Sequence, residues 1–116
     1  MKYIRTKDGV YEPTKWQCDL SGETILVKAD NKSFNNGTIF KRDIIKETYT
    51  IKELCDWFLI IVNGRINSYY VSFEYAKSHL FLFEKCENVE IKGAIETYKG
   101  LIYVAKMNQE GELELL

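Results

Sequence analysis

Residues 49–62, YTIKELCDWFLIIV, constrain the fold of this chain more than any other stretch. Thr50 and Glu53 stand in capping-box spacing, where the hydroxyl of the first accepts from the N–H of the second and the carboxylate of the second bonds back to the first. Ile51, Leu54, Cys55 and Phe58 then fall at i, i+3, i+4 and i+7, one stripe of an amphipathic helix. Lys52, Glu53 and Asp56 face away from it. Burial of Ile51, Leu54 and Phe58 is worth roughly 1.5–3 kcal/mol each, more than charge pairs on the opposite face supply. The run Leu59-Ile60-Ile61-Val62 admits two continuations. Its β-branched residues favour a buried strand, with Asn63-Gly64 as a type I′ turn into a second strand over residues 65–71. Alternatively the helix continues and stops at Gly64 in the left-handed conformation.

The rest of the chain surrounds this segment with short strands and one more helix. Residues 3–6 and 10–11 flank Lys7-Asp8-Gly9 and read as an opening hairpin, closed by Pro13. Trp16, Cys18 and Leu20 alternate with polar residues in strand period, and residues 24–28 form the next strand. The Asp/Asn/Lys/Ser/Gly-rich residues 29–37 form a loop, followed by strands at 38–40 and 44–49. Ser72 starts the second helix, whose stripe is Phe73, Ala76, Leu80 and Phe83 and whose end lies near Lys85. Residues 89–98, with a bulge at Gly93, then 101–107 and 112–116 make a three-stranded meander. The expected fold is α+β: a strongly twisted, mainly antiparallel β-sheet with two amphipathic helices packed on it.

A chain of 116 residues has the usual size of one domain, so residues 1–116 are expected to form a single compact unit. Hydrophobic content of 46% with 28% charged residues excludes a disordered chain. Charge is balanced: residues 1–49 carry nine basic and seven acidic side chains, residues 50–116 seven and ten. No basic tract announces duplex nucleic acid. Cys18, Cys55 and Cys86 are odd in number and widely spaced, which suits thiols in a reducing compartment. The start MKYIRTKDG lacks an apolar leader core and no long apolar run follows, so the expectation is a cytoplasmic chain without membrane insertion. Asn31-Lys32-Ser33 and Asn36-Gly37-Thr38 match the glycosylation pattern, which in a cytoplasmic chain marks only surface turns.

Three stretches carry a resemblance: YIRTKDGVY, TIKELCDWFLIIVNG and KGLIYVAKMNQEGELELL. Together, about a third of the chain, they resemble small uncharacterised proteins of phages and prophages of Firmicutes, in which a similar opening, a TIEELCD-type helix and a similar tail recur. The resemblance implies a bacterial or phage cytoplasmic setting. It implies no activity and assigns no residue a role.

Chemistry is sparse. His79 is the only histidine, so any imidazole mechanism must pass through it, and no partner set accompanies it. Cys55 and Cys18 sit in apolar stripes, where thiols act as small hydrophobes, and Cys86 lacks a cationic neighbourhood. No zinc spacing and no phosphate-loop pattern occurs. The acidic residues Glu84, Glu87 and Glu90, and Glu110, Glu112 and Glu114, read as solvated faces rather than a magnesium site. No catalytic residue, metal ligand or cofactor is therefore expected, and the chain reads as a non-enzymatic accessory protein that binds another protein, a second copy of itself included.

Two features suit such a role. Trp57 lies about 110° from the centre of the first helix's apolar stripe at 100° per residue. The terminal strand, with Glu112, Leu113, Glu114 and Leu115, has neither proline nor a cationic cap and can pair with another strand if it lies on an edge. An alternative is a single-stranded nucleic-acid contact built from Arg5, Lys7 and Lys15 with Tyr3, Tyr11 and Trp16. A third is a small enzyme working through His79 or a thiol.

Overall fold

A computed structural model describes residues 3–12, 24–28 and 36–116. Its contacts divide the chain into two compact units, Met1–Leu54 and Cys55–Leu116, each described here by itself. Both are α+β, and every strand pair among the described residues is antiparallel. The expected strand at Trp16, Cys18 and Leu20, the stop at Pro13 and most of the 29–37 loop lie outside the described residues.

In the first unit, β1 (Tyr3–Thr6) turns through Lys7-Asp8 into β2 (Gly9–Tyr11), and the Thr6 hydroxyl accepts from the Asp8 N–H at 3.2 Å. β3 (Thr24–Lys28) pairs with β4 (Asn36–Phe40), and a short 3-10 turn at Lys41–Asp43 leads to β5 (Ile44–Thr48). β5 closes on β1 to give a three-stranded sheet ordered β2-β1-β5. Ile4 is its buried centre, with Tyr11, Ile39 and Ile44 against it.

The first helix differs from expectation. α1 is a single turn, Ile51–Leu54, starting directly after Thr50 as the cap signal places it but ending four residues before Phe58. One turn cannot stabilise itself, because nucleation fixes several residues for a single hydrogen bond. The sheet holds it instead. Arg5 and Lys46, cross-strand partners on β1 and β5, donate to its terminal carbonyls, Arg5 Nη1 to Leu54 O at 3.2 Å and Lys46 Nζ to Glu53 O at 2.6 Å. Two cations thus take the carbonyls that a helix C-terminus leaves without partners, at its negative end.

The helix stops because the sheet captures the chain. The Asp56 N–H donates to Ala94 O at 2.9 Å, and β6 (Trp57–Val62) begins at the next residue. The strand reading of residues 59–62 is therefore correct, and the strand extends back to take Trp57 and Phe58 from the expected helical stripe. Five of its six residues, all but Leu59, are of types that favour strands. Asn63 at φ 53° and Gly64 at φ 79° make the turn into β7 (Arg65–Tyr70). Two consecutive left-handed residues are what a type I′ hairpin requires.

Ser72 caps α2 (Phe73–Ser78) by accepting from the Tyr75 N–H at 3.3 Å. The expected helix to Lys85 instead tightens into a 3-10 turn at Leu80–Phe83, which keeps Leu80 and Phe83 on the core while Phe81 and Leu82 are exposed. β8 (Val89–Thr97), β9 (Gly100–Met107) and β10 (Leu113–Leu115) form the meander, with a register shift at Gly93/Ala94 where the bulge was expected. The five strands are ordered β10-β9-β8-β6-β7.

This second sheet has two distinct faces. On one, Phe58, Ile60 and Ile91 pack with Phe73 and Ala76 of α2, the Phe58 and Phe73 rings 5.6 Å apart. On the other, Leu59, Ile61 and Ala94 cluster with Trp57. Cys55 packs on the first core, its sulfur above Gly93, consistent with a structural thiol.

Candidate functional site

Trp57 is on a strand, not a helix, and this sets its surroundings. Its cross-strand partner is Ala94, so on the same face its diagonal neighbours two residues on are Tyr69 of β7 and Glu96 of β8. Leu101 of β9 stands opposite Glu96. Four strands therefore bring Tyr69, Trp57, Glu96 and Leu101 into one row, and with Thr97 and Gly100 they line an open cleft of about 600 Å³.

The walls of the cleft are fixed by a chain of bonds. The Glu96 N–H donates to Asp56 Oδ2 at 2.8 Å, and the Trp57 indole N–H donates to Glu96 Oε1 at 2.7 Å. The carboxylate before Trp57 thus orients the backbone of the residue whose carboxylate orients the indole. Trp57 and Tyr69 meet nearly at right angles, with an interplanar angle of 83° and centroids 6.3 Å apart. Charge-assisted bonds and an edge-to-face pair resist rotation of both rings.

The far wall is the β8–β9 turn. Thr97 Oγ1 donates to Gly100 O at 2.8 Å and accepts from the Lys99 N–H at 3.1 Å, which holds the two-residue turn at Tyr98 and Lys99. Gly100 has φ 105°, a conformation that side-chain-bearing residues rarely adopt, and its missing side chain leaves the cleft open. Tyr69 is 56% exposed, so aromatic surface beside Trp57 faces solvent, and Tyr98 in the β8–β9 turn is 69% exposed.

The terminal strand is an edge, since β10 pairs only with β9 among the described strands. It is a short one. Glu112 is drawn into the preceding turn, its N–H donating to Asn108 Oδ1 at 3.1 Å and its carbonyl accepting from the Asn108 N–H at 2.8 Å. Leu113 and Leu115 are half-buried, and Glu114 lies 3.7 Å from Lys106. Three residues with a central charge form the kind of edge that discourages further pairing. β7 is the opposite edge, twice as long.

The residues proposed to meet nucleic acid do not form one surface among those described. Arg5 and Tyr11 point to opposite faces of the three-stranded sheet, because Tyr11 is the partner of Ile4 and packs against it. Arg5 is bonded to α1, Lys7 occupies the exposed β1–β2 turn, and Lys15 and Trp16 lie outside the described residues.

His79 closes α2 beside Tyr70 and Tyr75, with ring centroids at 5.1 and 4.5 Å. Its Nδ1 lies 2.8 Å from the Tyr75 carbonyl, which can only accept, so Nδ1 carries the hydrogen. These contacts dock the ring onto the helix end. Cys86 is an exposed thiol. No cluster of three or more His, Cys, Asp or Glu suited to a metal occurs among the described residues, and none of the described helices is long and apolar enough to cross a membrane.

Sequence reasoning singled out Trp57 and missed Tyr69, Glu96 and Leu101. Only sheet register joins them, and no local spacing encodes it. Compared with family models, characterised proteins and solved structures, the chain has no significant match.

Proposed function

We propose that this protein acts by binding another protein, as a cytoplasmic accessory factor of phage or prophage type and not as an enzyme, with the Trp57 cleft as its contact surface. The observation that carries this reading is the cleft itself. A tryptophan held by a carboxylate, a perpendicular tyrosine and an exposed leucine form a rigid, partly apolar depression, and aromatic anchors in such depressions dominate binding energy at protein interfaces. The rims are polar, with Thr97 on one side and exposed Lys99 beyond it.

The test is site-specific photo-crosslinking in the producing bacterium, from a benzoylphenylalanine placed at Tyr98 beside the cleft and, as a control, at exposed Glu84. The expected result is a discrete adduct from position 98 alone, lost on Trp57→Ala. An adduct of twice the chain mass identifies a second copy as the partner. An absent adduct, or one indifferent to Trp57, overturns the reading.

A further inference from the structure

We infer that an extended segment of the partner protein adds to β7 as an antiparallel sixth strand, with the pattern apolar-x-apolar-acidic. This rests on the protein-binding reading and specifies the shape and chemistry of what the partner presents.

The backbone defines the occupant. Val62 and Arg65 close the two-residue turn as a hydrogen-bonded pair. Ladder alternation then turns the N–H and C=O of Arg65, Ser68 and Tyr70 toward β6 and those of Ile66 and Tyr69 outward, with Asn67 as the extra residue at the register shift. Among the described residues β7 borders no second strand, and no other hydrogen bond reaches its outward groups. Such a row of donors and acceptors is met in register by another extended chain. β10 guards its edge with a central charge in a strand of three residues. β7 has six residues, neither proline nor lysine, and an apolar or aromatic side chain at each outward position.

Side chains set the pattern. Ile66 and Tyr69 are exposed and share a face, opposite Ile61 and Leu59 of β6. Those two partners are only two residues apart because the register shift absorbs Asn67, so an outer strand of regular spacing also meets Ile66 and Tyr69 with residues two apart. β-Branched or aromatic side chains at both positions gain cross-strand contact. The next residue of the antiparallel segment stands opposite Arg65 in a non-hydrogen-bonded pair, where side chains approach most closely. Arg65 is the one charge of β7, exposed and without an ion pair among the described residues, so charge complementarity asks for aspartate or glutamate there. Tyr69 also lines the Trp57 cleft, which makes strand edge and cleft one continuous surface.

The test is NMR on the isotope-labelled full-length chain, titrated with the capped peptide Gly-Thr-Val-Thr-Val-Glu-Thr-Gly. The Ile66 and Tyr69 amides are expected to shift saturably, with a Kd of about 1 mM, and to exchange more slowly with solvent. N-methylation of the second valine, whose N–H faces Ile66, is expected to weaken binding at least about tenfold, since it removes a ladder bond and puts a methyl group in its place. N-methylation of the central threonine, whose N–H faces away, keeps affinity within about twofold. Lysine in place of the peptide's glutamate costs about two- to fivefold, the worth of an exposed ion pair, and Arg65→Gln abolishes that preference.

Equal binding of the two N-methylated peptides, or no response of Ile66 and Tyr69 at about 10 mM peptide, overturns the inference. Light scattering on the unliganded chain adds one more outcome. A dimer that Ile66→Pro returns to monomer, by removing an outward N–H alone, assigns the edge to a second copy and overturns it too. The two readings fail separately. A Trp57-dependent crosslink without strand addition removes only this inference, and strand addition without a crosslink removes the cleft as the contact surface.

Discussion

Strands β6 and β7 are the two arms of one hairpin, six residues each, and they share a turn and a ladder. β6 is WFLIIV, buried at its four central positions whichever face they point to. β7 is RINSYY, with Arg65, Ile66, Asn67 and Tyr69 all exposed. The difference lies in what stands on the outer side of each strand. β6 lies between β7 and β8 and its two faces enter two separate apolar clusters, while β7 borders only β6 among the described strands. A continuous apolar run marks a strand covered on both faces, and a mixed one marks an edge that keeps some residues for solvent or a partner. Trp57 and Tyr69 are where the two arms meet at the cleft: the interior strand supplies the anchored ring and the edge strand the exposed one.

The most direct way to break this contrast is truncation on each arm. Ile60→Ala removes a fully buried side chain between Phe58 and Ile91 and is expected to cost about 2–5 kcal/mol. Ile66→Thr on β7, at a position 42% exposed, retains β-branching and should cost under about 1 kcal/mol. Urea unfolding midpoints compare the two, and equal losses would show that β7 is no edge.

A smaller effect is expected where β6 meets β8. A Cβ on Gly93 would lie 2.6 Å from the Cys55 sulfur and 3.3 Å from the Ala105 Cβ, so Gly93→Ala should destabilise by about 1–3 kcal/mol through overpacking. Adding Cys55→Ala removes the sulfur and should restore part of that loss, a coupling that a double-mutant cycle measures directly. Strict additivity would show that the bulge, not the contact, demands glycine.

The turn joining the arms comes next. Gly64 has φ 79° and open space around it, so Gly64→Ala carries backbone strain alone, about 1–2 kcal/mol. The smallest change belongs to the other edge of the sheet. Glu114→Gln breaks an exposed ion pair 3.7 Å long and should shift stability by no more than about 1 kcal/mol, an effect that vanishes in high salt. A larger loss would mean that β10 is held by more than its three-residue ladder.

What was legible in the sequence was what local chemistry writes. The Asn63-Gly64 turn, the Ser72 cap, the Gly93 bulge and the terminal meander each depend on residues near one another in the chain. The length of the first helix was not legible, because Phe58 satisfies both a helical stripe and a strand. The decision falls to Ala94 and Glu96, the latter 39 positions beyond Trp57. The second helix was overextended for a related reason: Leu80 and Phe83 keep nearly helical spacing in a 3-10 turn, so the apolar pattern survives while the hydrogen bonding changes. The cleft was half legible. Trp57 drew notice as a large aromatic off the stripe, whereas its partners acquire meaning only through pairing across four strands.

The single turn α1 carries a consequence for the order of folding. Helices usually form early because their contacts are local, but four residues are too few to persist alone. The groups that take its last carbonyls, Arg5 and Lys46, are brought opposite each other only once β1 has found β5, some forty residues along the chain. In this unit the helix is therefore a late product of the sheet, formed after a slow, non-local pairing. Amide exchange would record that sequence of events: the α1 amides should gain and lose protection together with those of β1 and β5, and Arg5→Met should free α1 to exchange ahead of the sheet.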